Sequence, residues 1–159
     1  MSVLNKEPVK RVETFLKGFD KNLKVILLDT SARTALEAAS SLDCEVGAIV
    51  KSLLFKTENS FMLCLVAGDK KASLNKIKKI LDIKDAKMAS ADEVKKVTGF
   101  TIGGVSPIGH SNKINTYIDK SLERFPTLFA AAGHPNCVFK ISYSNLQKIT
   151  DGLVREITE

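Results

Sequence analysis

The sequence predicts a mixed α/β fold of the α+β kind, with one domain spanning residues 1–159. Three observations predict it. Short runs rich in Val, Ile, Leu and Phe, such as 50–56 and 61–67, have the length and composition of strands. Segments 6–19 and 74–81 instead carry apolar residues at helical spacing. The two kinds mix without strict strand–helix alternation, which disfavours a doubly wound sheet. With 159 residues, 44% of them hydrophobic, the chain can build one real core.

The N-terminal helix spans 6–19 within an N-terminal helical segment of residues 1–20, with Val9, Val12, Phe15, Leu16 and Phe19 on one face and Pro8 in its first turn. A strand follows at 24–28. Thr30 or Ser31 can cap a second, alanine-rich helix over 32–42 that lies flat on a sheet. A helical turn at 45–49 leads into a hairpin, with arms 50–56 and 61–67 around Thr57-Glu58-Asn59-Ser60. Ser73 caps a helix over 74–81, with Leu74, Ile77, Ile80 and Leu81 inward and Lys76, Lys78 and Lys79 outward. Residues 86–89 form a short strand. Ser90 and Glu93 form a capping box for a helix that ends at Gly99. Beyond a glycine-rich loop come a strand at 115–119, a helical turn at 120–124, and strands at 127–132 and 137–142 around the turn 133–136. A helix at 143–150 and a strand at 153–157 complete the chain.

Composition narrows the function. No apolar run approaches the ~20 residues that span a bilayer, and the first residues lack the apolar core of a secretory signal, so no membrane partner and a cytoplasmic location are expected. Cys44, Cys64 and Cys137 are odd in number and far apart, and they read as reduced small hydrophobes. No cysteine or histidine spacing suits zinc, and neither metal nor cofactor is expected. The net charge of +6 favours an anionic partner. Lys70, Lys71, Lys76, Lys78 and Lys79 can meet a phosphate backbone, or simply form a solvated helix face. No aromatic residue interleaves to stack bases. With no obvious exposed apolar stripe, a monomer is expected.

Two segments carry candidate chemistry. Lys51 lies in the strand 48–55, where alternation points it with Ile49 and Leu53, beside apolar neighbours. A lysine there either lines a pocket wall, its pKa lowered by burial, or snorkels to solvent. Ser52 adjoins it. The second segment is Gly103-Gly104-Val105-Ser106-Pro107-Ile108-Gly109-His110. Its glycines permit positive φ and close approach, and Pro107 stiffens the bend. Its bare amides can bind an anion or polarise a carbonyl, or the loop is only a tight turn. Ser106 is a possible hydroxyl donor but not an elbow nucleophile. His110 and His134 each follow a glycine and can act as base or positioning donor, or be structural.

Three blocks together resemble a known family. Ala35-Leu36-Glu37-Ala38-Ala39 with Val46-Gly47-Ala48-Ile49-Val50-Lys51-Ser52-Leu53-Leu54-Phe55 is similar to the first signature of the YbaK/ProX family. Its members are free-standing relatives of the editing domain of bacterial prolyl-tRNA synthetase. Residues 98–110 are similar to the second signature, and Ala131-Ala132-Gly133-His134-Pro135 to the third. Their order and spacing match across a core of residues 22–157.

The resemblance implies a curved, mainly antiparallel sheet flanked by helices. It also implies hydrolysis in trans of the ester on mischarged tRNA, often tRNA for proline, with a prolyl-tRNA synthetase as an open further partner. Lys51 matches the family's activity-linked lysine, and Gly103 to Pro107 its Gly-x-x-x-Pro substrate loop. On this reading Lys51, Gly103, Gly104, Val105, Ser106 and Pro107 carry the chemistry, and Thr30, Ser52, Gly109, His110, Gly133 and His134 contact substrate. Leu28-Asp29-Thr30 and Val138 depart from the cysteinyl-tRNA editors, so alanine, serine, threonine and small non-protein amino acids stay open. A non-catalytic module that binds an RNA end, and a hydrolase of another small ester, are the competing readings.

Overall fold

The computed structural model describes residues 2–159. Its framework is an eight-stranded sheet flanked by five α-helices. In chain order these are α1 (Glu7–Phe19), β1 (Val25–Leu27), α2 (Ala35–Leu42), β2 (Ile49–Thr57), β3 (Phe61–Ala67), α3 (Leu74–Leu81), β4 (Ala86–Met88), α4 (Ala91–Thr98), β5 (Asn115–Asp119), β6 (Thr127–His134), β7 (Cys137–Ser142), α5 (Tyr143–Thr150) and β8 (Leu153–Arg155). The sheet runs β1-β7-β6-β2-β3-β5-β8, and β4 also pairs with β2. Four pairings are antiparallel and three parallel, so the sheet is mixed. Among the described residues no helix is long and apolar enough to cross a membrane.

The β2–β3 hairpin forms as its composition predicts, with Lys51 opposite Val66 and Leu53 opposite Cys64. Alternation then sorts β2 onto two faces. Val50 and Leu54 join the main core beneath α1 and α4. Phe55 and Leu53 pack in a second cluster with Ile77 of α3, and Ile49 packs in a third with Ala38 and Ala39 of α2.

Three expectations need correction. Phe15 and Phe19 do not join the face of α1 that packs inward. They are 48% and 39% exposed, while Val9, Val12 and Leu16 are buried. Val9, Val12 and Leu16 carry the α1 share of the main core, which includes neither phenylalanine. Leu74 and Ile80 are also more than a third exposed, leaving Ile77 as the fully buried anchor of α3. The second helix starts at Ala35 rather than 32. Its cap is Thr34, in a capping box with Glu37, and not Thr30 or Ser31.

Candidate active site

The strands on one side of β2 leave a gap. β6 pairs only with Ile49 and Val50, and β4 only with Phe55 to Thr57. Between them Leu54 accepts a hydrogen bond from the Ala89 amide through its carbonyl. Residues 51–53 have no strand neighbour on that side. A cavity of about 360 Å³ opens there. Its walls come from β2, the N-terminal end of α2, Met88 of β4 and Ala89 after it, Ile102, Gly103 and Val105 of the loop, and Phe129, Ala130 and Ala131 of β6.

Lys51 lines this cavity with Leu53, on the face that alternation assigns it. Its Nζ donates to the Lys70 carbonyl at 2.5 Å. Burial pulls its pKa down, and the nearby Asp69 carboxylate partly offsets this. Asp69 is itself held by Arg124 through two hydrogen bonds of 3.0 and 2.7 Å. Among the described residues Lys51 makes no ion pair. Arg33 is a second cation on the cavity wall, and no Asp or Glu lines it. The cavity therefore favours an anion.

Another wall is the glycine loop. A turn from Thr101 is closed by the Gly104 amide donating to the Thr101 carbonyl at 3.0 Å. Gly103 sits at its third position with φ +97°, a conformation that other residues rarely adopt. The Gly104 amide is thereby already used. The Gly103 and Val105 amides have no partner among the described residues, and both residues line the cavity. Gly104 packs so closely on the end of β6 that a Cβ would lie 2.8 Å from the His134 nitrogen.

Side chains from elsewhere hold the loop. His110 Nε2 donates to the Ser106 carbonyl at 2.7 Å, and its ring meets Phe100 edge-on. Burial lowers its pKa. Arg11 of α1 donates from Nε to the Gly109 carbonyl at 2.6 Å, pairs with Glu7 and lies over Phe100. Ser106 is fully buried, and its hydroxyl accepts from the Ile108 amide instead of facing the cavity.

The structure thus brings Lys51, Ser52, Gly103 and Val105 together at one cavity. Gly104, Ser106, Pro107, Gly109 and His110 belong to the same loop but stand behind its cavity face. Gly133 and His134 lie at the bulged end of β6, where the His134 Nδ1 accepts from the Asn136 amide at 3.0 Å. Burial, Lys6 and Arg33 all lower the His134 pKa. Thr30 bonds Ser41 at 2.6 Å in a separate shallow surface dimple, outside the cavity. Among the described residues no group of three or more His, Cys, Asp or Glu is placed to hold a metal ion.

Sequence reasoning missed Arg33 and Arg11. Arg33 has no local signal, because only folding brings the loop over it. For Arg11 the helical pattern hid a polar contact across 98 residues of sequence.

A family model described as an aminoacyl-tRNA editing domain matches residues 29–149. The chain is 33% identical over 143 residues to the uncharacterized protein YwhH of Bacillus subtilis, covering 89% of this chain and 90% of that one. It is 31% identical over 132 residues to the proline–tRNA ligase of Caldicellulosiruptor bescii, which is 81% of this chain but 22% of the ligase. A solved structure of a candidate trans-editing enzyme for prolyl-tRNA synthetase superposes with a TM-score of 0.91 at 36% identity, over 97% of this chain and 98% of that one.

Proposed function

This chain belongs to the aminoacyl-tRNA editing domain family and is an aminoacyl-tRNA deacylase, and from that premise we propose that it hydrolyses, in trans, the ester of tRNA for proline carrying a small wrong amino acid. The observation that carries this reading is one cavity lined by Lys51, Arg33, Gly103 and Val105, with no carboxylate on its wall. Such a lining suits the 3′ end of a tRNA, which brings a phosphate and an ester carbonyl to one place.

In this account Lys51 and Arg33 hold the terminal phosphate. The Gly103 and Val105 amides donate to the ester carbonyl oxygen as negative charge develops on it during attack. A water molecule adds to the carbonyl carbon, the C–O bond to the ribose breaks, and the ribose oxygen leaves with a proton. No protein nucleophile is needed. Leu54, Ala89, Val94 and Ala130 provide an apolar wall for a short side chain. His110 and Arg11 keep the loop amides aimed; they do not touch substrate.

The test is deacylation of tRNA carrying alanine, serine, threonine, cysteine or proline. Rapid loss of one mischarged species, with prolyl-tRNA spared, supports the reading and names the amino acid. No loss across the panel, with tight binding of uncharged tRNA, supports the binding module instead. Turnover of small esters with little salt dependence supports the third reading.

A further inference from the structure

We propose that the aminoacyl group of the substrate pairs with the backbone of Ser52 as a one-residue strand, so that this residue selects esters with a free α-amino group. The inference rests on the deacylase reading above and deepens it.

Backbone groups of a strand point alternately to its two neighbours. The Leu54 carbonyl faces the β4 side, because it accepts from Ala89. Ser52, two residues earlier, therefore directs its own N–H and C=O to the same side. That side is the gap between β6 and β4, where neither strand reaches residue 52. Among the described residues the β6 ladder stops at Val50, the β4 ladder starts at Phe55, and neither Ser52 group takes part in a bond outside the ladders. The Ser52 hydroxyl is also buried and unpartnered. An unpaired donor and acceptor on an otherwise paired central strand are costly unless a ligand or water meets them.

The missing partner must offer an acceptor and a donor on either side of one carbon, as a strand residue does. An aminoacyl ester has that arrangement. Its carbonyl oxygen accepts from the Ser52 N–H through one lone pair, leaving the other for the loop amides as charge develops, and its α-ammonium donates to the Ser52 C=O. Recognition by main-chain pairing is how extended peptides add to sheet edges. Here the edge is only long enough for one residue. Lys51, on the same strand, then holds the phosphate while Ser52 holds the acyl group. An N-acylated ester lacks the free ammonium and adds bulk in the gap, so peptidyl and formylated tRNAs are poor substrates on this account.

Two measurements test it. Alanyl-, seryl-, threonyl- and cysteinyl-tRNA are compared with their deaminated counterparts, each enzymatic rate divided by its own spontaneous rate. Deamination is expected to lower kcat/KM by about ten- to a hundredfold, the scale of one hydrogen bond to a charged group. In the second, the α-hydroxy acid analogue of serine is placed at position 52, which replaces the N–H with an ester oxygen. This is expected to lower kcat by about tenfold with a free-amine substrate. Equal normalised rates with and without the amine overturn the pairing to the carbonyl. An unchanged kcat in the backbone ester overturns the pairing to the N–H. Failure to cut any of the four parent substrates overturns the deacylase reading itself, and this inference with it.

Discussion

The two walls of the cavity are held in place by different means. Lys51 and Ser52 stand on β2, whose register is fixed by seven residue pairs with β3. The loop wall has no such ladder. Its shape comes from one turn, two positive-φ glycines, Gly103 and Gly109, and two side-chain clamps, His110 and Arg11. One clamp comes from α1, outside the stretch 29–149 that the family model covers. The strand therefore supplies groups on a rigid frame. The loop supplies amides whose aim depends on distant contacts. Damage to the first should remove chemistry and spare the fold, whereas damage to the second should cost both.

The largest expected effect is that of Lys51→Ala. It removes the cation from the strand wall and should lower kcat/KM by about a hundredfold, the upper scale for a charged hydrogen bond. Thermal stability should stay the same or rise, because a half-buried ammonium is itself costly. A melting curve beside the kinetics separates the two effects.

Gly104→Ala comes next. The added Cβ would meet the His134 backbone at 2.8 and 2.9 Å, atoms that cannot swing aside. The loop must shift, and roughly tens of fold should be lost from kcat, within the ~100-fold that an ångström of misplacement can cost. Here the melting temperature should fall as well.

Arg11→Ala should have a smaller effect. Losing the bond to the Gly109 carbonyl should cost about 1 kcal/mol of stability and lower kcat by about fivefold. Hydrogen exchange at residues 103–109 should speed up, while that of β2 should not. If both segments respond alike, the contrast between the walls fails.

The smallest effect is the pH dependence of the loop. Burial holds the His110 pKa below its ordinary value of 6.5, so the unfolded chain takes up the proton more readily than the folded one. The histidine's contribution is full above that ordinary value and is lost as pH falls below it. Denaturation midpoints at pH 7.5 and 5.5 should therefore show lower stability at 5.5. His110→Gln should flatten part of that slope, leaving the share from His134, whose pKa is also lowered.

What the sequence revealed follows the same division. The hairpin, the outlook of Lys51 and the Ser90–Glu93 cap were legible because period, composition and short spacings encode them. The Thr34–Glu37 box is equally legible, as Thr-x-x-Glu, but Thr30 and Ser31 offer the same capping chemistry closer to the preceding strand. The inward placement of Phe15 and Phe19 failed because helical spacing says which residues share a face, not whether anything covers it. The gap at Ser52 had no signal at all. It exists because β6 leaves β2 after Val50 and β4 joins only at Phe55, a matter of where two other strands end.

The most direct test of the account is an NMR titration of the wild-type protein with a non-hydrolysable 3′-aminoacylamino-adenosine 5′-phosphate. The account predicts the largest amide shifts at Ser52, Gly103 and Val105, together with a shift of the Lys51 side chain. Shifts confined to the α3 lysines or to the Thr30 dimple, with residues 51–53 and 103–105 unmoved, would contradict it.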